Sequence, residues 1–311
     1  MMKTIHKPLC LLLAAASLCA CSKSESGEQL PGGEAAIRLS AGLLSASVQS
    51  KAPINSGDTF TPAVAGWEST ATASYTAQPT WNTTTSEITA STTAQAVTLT
   101  DQQVYNADKT IKTYMKAWYP QGTLTDGKVA FTADASYKGD GTDDVLLAGE
   151  LVGDKSDREN KVLAFEHLTT QLKFVVKAGT GLAEDTKLTK IELKGVDVPG
   201  GIDLATDALT GTAKETLSVP DIDGSLVIGT TETGDAAGSP LMIVPPSGNT
   251  VTLKVTTSVA EFDNIEATID TDEKFQAGKA YTITLTFGQK NIELSATLAE
   301  WSAGTGSGLV E

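Results

Sequence analysis

From Ala35 onward, apolar residues alternate with polar ones at a period of two, and clusters of turn-forming residues break the alternation. The pattern predicts strands over Val162–Phe165, Gln171–Lys177, Leu188–Leu193, Leu241–Val244, Val251–Thr257, Tyr281–Phe287 and Ile292–Leu298. Between them Pro199-Gly200-Gly201, Pro220-Asp221, Ser247-Gly248-Asn249 and Ala277-Gly278 read as turns. No amphipathic helix of useful length is present in the pattern. Many short strands punctuated in this way predict an all-β protein built from antiparallel β-sandwiches. The Ser/Thr-rich stretch Ala71–Thr100 fits either long loops or edge strands.

One apolar run stands apart, from Leu9 to Leu18 behind the basic residues Lys3 and Lys7. It is too short for a permanent membrane span and reads as a secretory signal peptide. It ends in Leu18-Cys19-Ala20-Cys21, which resembles the bacterial lipobox, where the last Cys is lipidated and becomes the mature N-terminus. Cys21 is therefore the expected lipid attachment point, with residues 1–21 removed up to that Cys. The alternative is an ordinary secreted protein with a chance Cys. Residues 22–35 are polar and read as a flexible tether. Gly153–Asn160 is the most hydrophilic run in mid-chain, and suggests an N-terminal β-sandwich domain over 36–159 and a C-terminal one over 160–311.

All three cysteines lie in the signal region, so a lipidated mature chain has no disulfide and no thiolate metal site. An exported domain without disulfides must rely on its apolar core, and 290 residues beyond Cys21 suffice for two. His6 leaves with the signal, which makes His167 the one imidazole left. A multi-histidine metal site is thereby excluded, and His167 is expected to be a strand-end imidazole bonded to a carbonyl or carboxylate. Loss of Lys3 and Lys7 takes the basic count from 23 to 21 against 38 acidic groups, a net of −17 that disfavours nucleic acid. Trp67, Trp81 and Trp118 are core residues or, if exposed on one face, a platform for sugars. Asp140, Asp143 and Asp144, like Asp221 and Asp223, lack the spacing of a calcium loop and read as turn acids. No catalytic pair, cofactor site or metal site is identified.

The first and last strands of the fold match each other. Ile37-Arg-Leu39-Ser-Ala41-Gly-Leu43 and Ile292-Glu-Leu294-Ser-Ala296-Thr-Leu298 are identical at five of seven positions, including all four that share one face of a strand. Two strands with one side-chain pattern can fill the same groove, the basis of strand complementation. The plainer reading is that both belong to one core.

With that match the chain resembles the fimbrillins of Bacteroidetes, the lipoprotein-derived subunits of type V pili. The resemblance rests on an ordered series along nearly the whole chain. After Cys21 and Ser50-Lys51-Ala52 come Ala117-Trp118-Tyr119-Pro120, Asp143-Asp144-Val145-Leu146-Leu147-Ala148-Gly149 and Phe165-Glu166-His167-Leu168. Leu241-Met242-Ile243-Val244-Pro245-Pro246, Phe275-Gln276-Ala277-Gly278-Lys279-Ala280-Tyr281 and Leu298-Ala299-Glu300-Trp301 complete it. The resemblance implies two transthyretin-like β-sandwich domains in tandem and a location at the cell outer membrane and surface, in a fimbrium. It implies a trypsin-like surface protease that cuts after the first strand, here at Lys51–Ala52, and removes Ile37, Leu39, Ala41 and Leu43 with the lipid. The donor would then be Ile292, Leu294, Ala296 and Leu298 of the next subunit, self or a related fimbrillin. Expected partners are thus other pilus subunits, the protease and the outer membrane through Cys21, with a ligand on host or bacterial surfaces left open. The family protease prefers Arg, whereas the matching position is Lys51. Either the enzyme accepts Lys or the subunit stays lipidated as an anchor. The function implied is a structural pilus subunit and not an enzyme, with an unprocessed, surface-anchored glycan-binding lipoprotein as the alternative.

Overall fold

The computed structural model describes residues 34–43, 54–134, 136–269, 274–289 and 291–299. The described chain is all β. Its first half comprises β1 (Ala35–Ala36), β2 (Leu39–Leu43), β3 (Thr59–Phe60), β4 (Ala63–Ser69), β5 (Trp81–Thr84), β6 (Ile88–Thr89), β7 (Gln95–Val97), β8 (Val104–Tyr105), β9 (Lys112–Tyr119), β10 (Thr123–Thr125), β11 (Lys128–Ala130), β12 (Leu146–Gly153) and β13 (Val162–His167). The second comprises β14 (Thr170–Ala178), β15 (Leu188–Asp203), β16 (Ala208–Ser218), β17 (Asp235–Ala236), β18 (Leu241–Ile243), β19 (Thr250–Thr257), β20 (Glu261–Thr268), β21 (Ala280–Phe287) and β22 (Ile292–Ala299). Each predicted strand is present. Ala71–Thr100 resolves into short strands, two of them (β5 and β7) at the edges of a sheet, joined by loops.

The first unit is a seven-stranded sheet in the order β5-β4-β9-β12-β13-β2-β7. It curls until its ends approach: Thr85 bridges Leu99, and the Ser86 N–H donates to the Thr98 carbonyl at 2.7 Å. The enclosed core holds Val64, Met115, Leu146, Leu163 and Phe165 together with the inner face of β2. In the second unit β15, β16, β19 and β20 face a sheet of β14, β21, β22, β17 and β18, with Leu172, Ile191, Leu253, Ile283 and Phe287 between them. The ladders are antiparallel except for two. In each unit an early strand pairs parallel with a late one, β2 with β13 and β14 with β21. The strand β22 lies beyond that closure, on the open side of β21.

Two differences from the sequence pattern have clear physical causes. Pro199-Gly200-Gly201 does not end a strand; β15 runs through it, with a register shift against β16. A bulge tolerates a proline that cannot donate to the ladder, and a side chain on Gly201 would meet the Val129 carbonyl at 2.0 Å. Glycine there lets β11 pair with β15. The polar run Gly153–Asn160 joins β12 to β13, both strands of the first sheet, so that sheet extends past residue 159.

The hairpin β10–β11 leaves the first unit and joins the sheet of the second. A third apolar cluster, with Ala65, Trp67, Trp118 and Leu147 on the outer face of the first sheet, packs against Val129, Ile202 and Leu204. Lys116 is buried beside it. Its Nζ donates to the Leu204 carbonyl at 2.7 Å, pairs with Asp207 and lies 4.3 Å from the Tyr75 ring centroid.

Candidate strand-acceptor groove and donor strand

Ile37, Leu39, Ala41 and Leu43 are 2%, 5%, 1% and 2% exposed. Alternation puts all four on one face, and that face closes the core of the first unit. The strand β2 is internal: it pairs parallel with β13 over Val162–Phe165 and antiparallel with β7 over Gln95–Val97. Further main-chain bonds tie it down. Ile37, Ser40 and Leu43 donate their N–H groups to the carbonyls of Gln103, Lys161 and Ser91 at 2.8, 2.9 and 2.8 Å. The Gln102 side-chain amide donates to the Ile37 carbonyl at 3.0 Å.

The matching segment has a different environment. The strand β22 pairs antiparallel with β21 alone among the long strands, with one bridge from Ile269 to Ala296 on its other side. Ile292, Leu294 and Ala296 are half-buried against the core of the second unit. Leu298 is 50% exposed. The two matched strands thus belong to separate cores in separate sheets.

Cys21, Lys51, Ala52 and Trp301 lie outside the described residues. Arg38 has an exposed side chain and lies between β1 and β2, next to Ile37, whose N–H and carbonyl are bonded to Gln103 and Gln102. Arg158 is exposed in the loop after β12, where Asp154 accepts the Ser156 and Asp157 N–H groups.

The tryptophan platform is not formed by the described residues. Trp67 is 4% and Trp118 1% exposed, with indole N–H groups bonded to the carbonyls of Ala77 and Gln121. Trp81 is half-buried over Gly66, where a Cβ would stand 2.2 Å from its ring. Large aromatic surface belongs in a core when the N–H finds an acceptor, as those of Trp67 and Trp118 do, whereas the buried Trp81 N–H has no partner among the described residues.

His167 ends β13, and its Nδ1 donates to Asp144 Oδ2 at 2.7 Å. The same carboxylate accepts from the Ile54 N–H at 3.1 Å and the Thr169 hydroxyl at 2.9 Å. Asp144 therefore ties the chain after the first strand to the crossing between units. Burial pushes the Asp143 carboxyl up from its usual range, against the N–H groups of Lys138 and Gly139 that it accepts. Asp140 caps its own turn through Thr142. Desolvation, with the hydrogen bond to Glu150, likewise raises the Tyr75 hydroxyl. Lys116 was not singled out in the sequence, yet it carries a signal: a lone charge inside Tyr114-Met115-Lys116-Ala117-Trp118 on a strand with apolar residues on both faces.

Among the described residues the chain is an all-β protein of two packed units, with an enclosed strand near its start and an edge strand near its end. A family model described as fimbrillin-like matches residues 50–301, and the chain belongs to that family. Fim1C of Bacteroides uniformis, named as a candidate fimbrium subunit, is 28% identical over 205 residues, which is 62% of this chain and 62% of Fim1C. The match thus spans less than two thirds of that relative. Among solved structures, a candidate cell adhesion protein of Bacteroides uniformis superposes with a TM-score of 0.53 at 18% identity, covering 86% of this chain and 99% of that one. A fimbrial protein of Bacteroides vulgatus gives 0.52 at 13% identity, covering 86% and 100%. These likenesses show the fold.

Proposed function

We propose that this fimbrillin-like chain is a structural subunit of a cell-surface fimbria that is exported as a lipoprotein on Cys21. It is cut after Lys51, loses β2 with the lipid, and polymerises when a C-terminal strand of another subunit enters the vacated groove. The protease is trypsin-like, the precursor is held at the outer membrane, and the mature subunit performs no catalysis. One observation carries the reading: the four side chains that seal the first core recur, in order, on a strand that sits at an edge with its inner face half-buried.

The energetics support it. Full burial of an Ile or Leu is worth about 1.5–3 kcal/mol, so Ile37, Leu39 and Leu43 together contribute about 5–9 kcal/mol. A typical domain is stable by only about 5–15 kcal/mol. An emptied groove is therefore a high-energy state, and any strand with a matching face is drawn into it. In the monomer, by contrast, β22 leaves apolar surface in water.

The test is N-terminal peptide mass spectrometry of the protein sheared from its native cells. A chain beginning at Ala52 in high-mass material is the expected result. A chain still beginning at lipidated Cys21 would overturn the processing step.

A further inference from the structure

We infer that the α-ammonium group created on Ala52 by the cut after Lys51 docks in an acidic cavity between the two units and pairs there with the Asp143 carboxylate. The inference rests on the processing reading above and adds what the new chain end does. A cavity of about 710 Å³ opens between Ile54, the loop 136–144 and the turn at Pro220-Asp221. Asp58, Asp140, Asp143, Asp144 and Asp221 line it, against one lysine, Lys138. Asp143 and Asp144 are 8% and 4% exposed. Donors from Ile54, His167 and Thr169 surround Asp144. Asp143 is matched less well. It accepts the N–H groups of Lys138 and Gly139 at 2.8 and 2.6 Å, and among the described residues no ammonium or guanidinium group forms an ion pair with it. Burial accordingly holds its carboxyl above the usual range in the uncut chain. A cation is what such a buried carboxylate lacks.

The chain itself delivers that cation to the cavity wall. Ile54 is the first described residue after Ala52-Pro53. Its side chain lines the cavity and packs on the first core, and its N–H donates to Asp144 at 3.1 Å. The next residue is fixed too, because the Asp58 carboxylate accepts the Asn55 N–H at 2.8 Å. From that anchor two residues reach about 7 Å at full extension. Asp143 adjoins Asp144 in the chain and lines the same cavity. Pro53 sets its own φ and keeps Ala52 out of the helical region, so the pair is a short, stiff strut. Before the cut the Ala52 nitrogen is a neutral amide. Hydrolysis adds water across the Lys51–Ala52 bond and leaves a carboxylate on Lys51 and an amine on Ala52. With an ordinary value near ~8, that amine is protonated at neutral pH. Its hydrogen bond to a carboxylate is charge-assisted. The latch thus exists only in the processed subunit, and fastens the new chain end beside the core that loses β2.

The test treats intact fimbriae sheared from native cells with an amine-acetylating reagent at neutral pH, and follows acetylation of the Ala52 peptide over time by mass spectrometry. In wild-type fibres the α-amine should react about tenfold more slowly than in the same material unfolded in guanidinium chloride, the effect of holding its ammonium one unit above the ordinary value. Asp143→Asn keeps an acceptor for the Lys138 and Gly139 N–H groups and should remove that protection. A Gly-Gly insertion after Ala52 should remove it as well, with every residue of the cavity unchanged, and decides the matter alone where Asp143→Asn does not fold. Equal rates in folded and unfolded wild-type material overturn the latch, as does protection that survives either change. In both of those cases chains that begin at Ala52 leave the processing reading standing. Fibre chains that begin elsewhere overturn that reading and the latch with it.

Discussion

Asp143 and Asp144 are adjacent, and their neighbours do different things to them. Asp144 is surrounded by donors from Ile54, His167 and Thr169, and so acts as a fixed junction between the start of the first unit and the crossing to the second. Asp143 is held above the usual carboxylate range, chiefly by burial. The folded protein then binds this proton more tightly than the unfolded chain does. Its contribution to folding is present below the ordinary Asp value near pH ~4 and is lost as pH rises through the raised value. Asp143→Asn should therefore gain stability relative to wild type as pH goes from about 4 toward neutrality, read by urea melts across that range. A difference that stays constant with pH would refute the assignment. Of these residues, His167 was legible in the sequence as a bonded strand-end imidazole. Its partner was not, because the 23-residue separation from Asp144 leaves no local trace.

At the scale of elements, β2 and β22 have one apolar pattern and two different surroundings. Both alternate correctly, so sequence alone identifies each as a strand and aligns one on the other. What differs is neighbours: β2 has a strand on either side, β22 a long strand on one side only. Leu294→Asp with Leu298→Asp should test the donor role with little damage to the monomer. Leu298 is half-exposed, and Leu294 only half-buried, in their own unit. In the groove, however, each carboxylate would stand where Leu39 or Leu43 is now buried, unpaired and at several kcal/mol. The expected outcome is normal export with loss of polymer on a non-denaturing gel. Wild-type polymer length in this variant would remove β22 from the mechanism. The break at Pro199-Gly200-Gly201 teaches the converse lesson. These residues signal a turn locally, yet β15 carries through because a bulge and the close approach of β11 use the same residues.

At the scale of the whole molecule, the two units are welded and not merely strung together. The hairpin β10–β11 donates strands from the first half to the second sheet, and Val129, Ile202 and Leu204 pack on the outer face of the first. Ile202 is fully buried there, so Ile202→Asp should cost about 3–5 kcal/mol and split one calorimetric transition into two. A single transition shifted as a whole would mean that the units do not melt separately even when unlatched. The amino-acid sequence by itself determined the all-β class, the strand positions and the likeness of the two terminal strands, because a period-two pattern is written residue by residue. Only the tertiary structure decided that β2 is enclosed, that β22 is at an edge, that Trp67 and Trp118 face a core and that β13 belongs to the first sheet. Which strands become neighbours depends on contacts between residues far apart in the chain, and no local alternation encodes them.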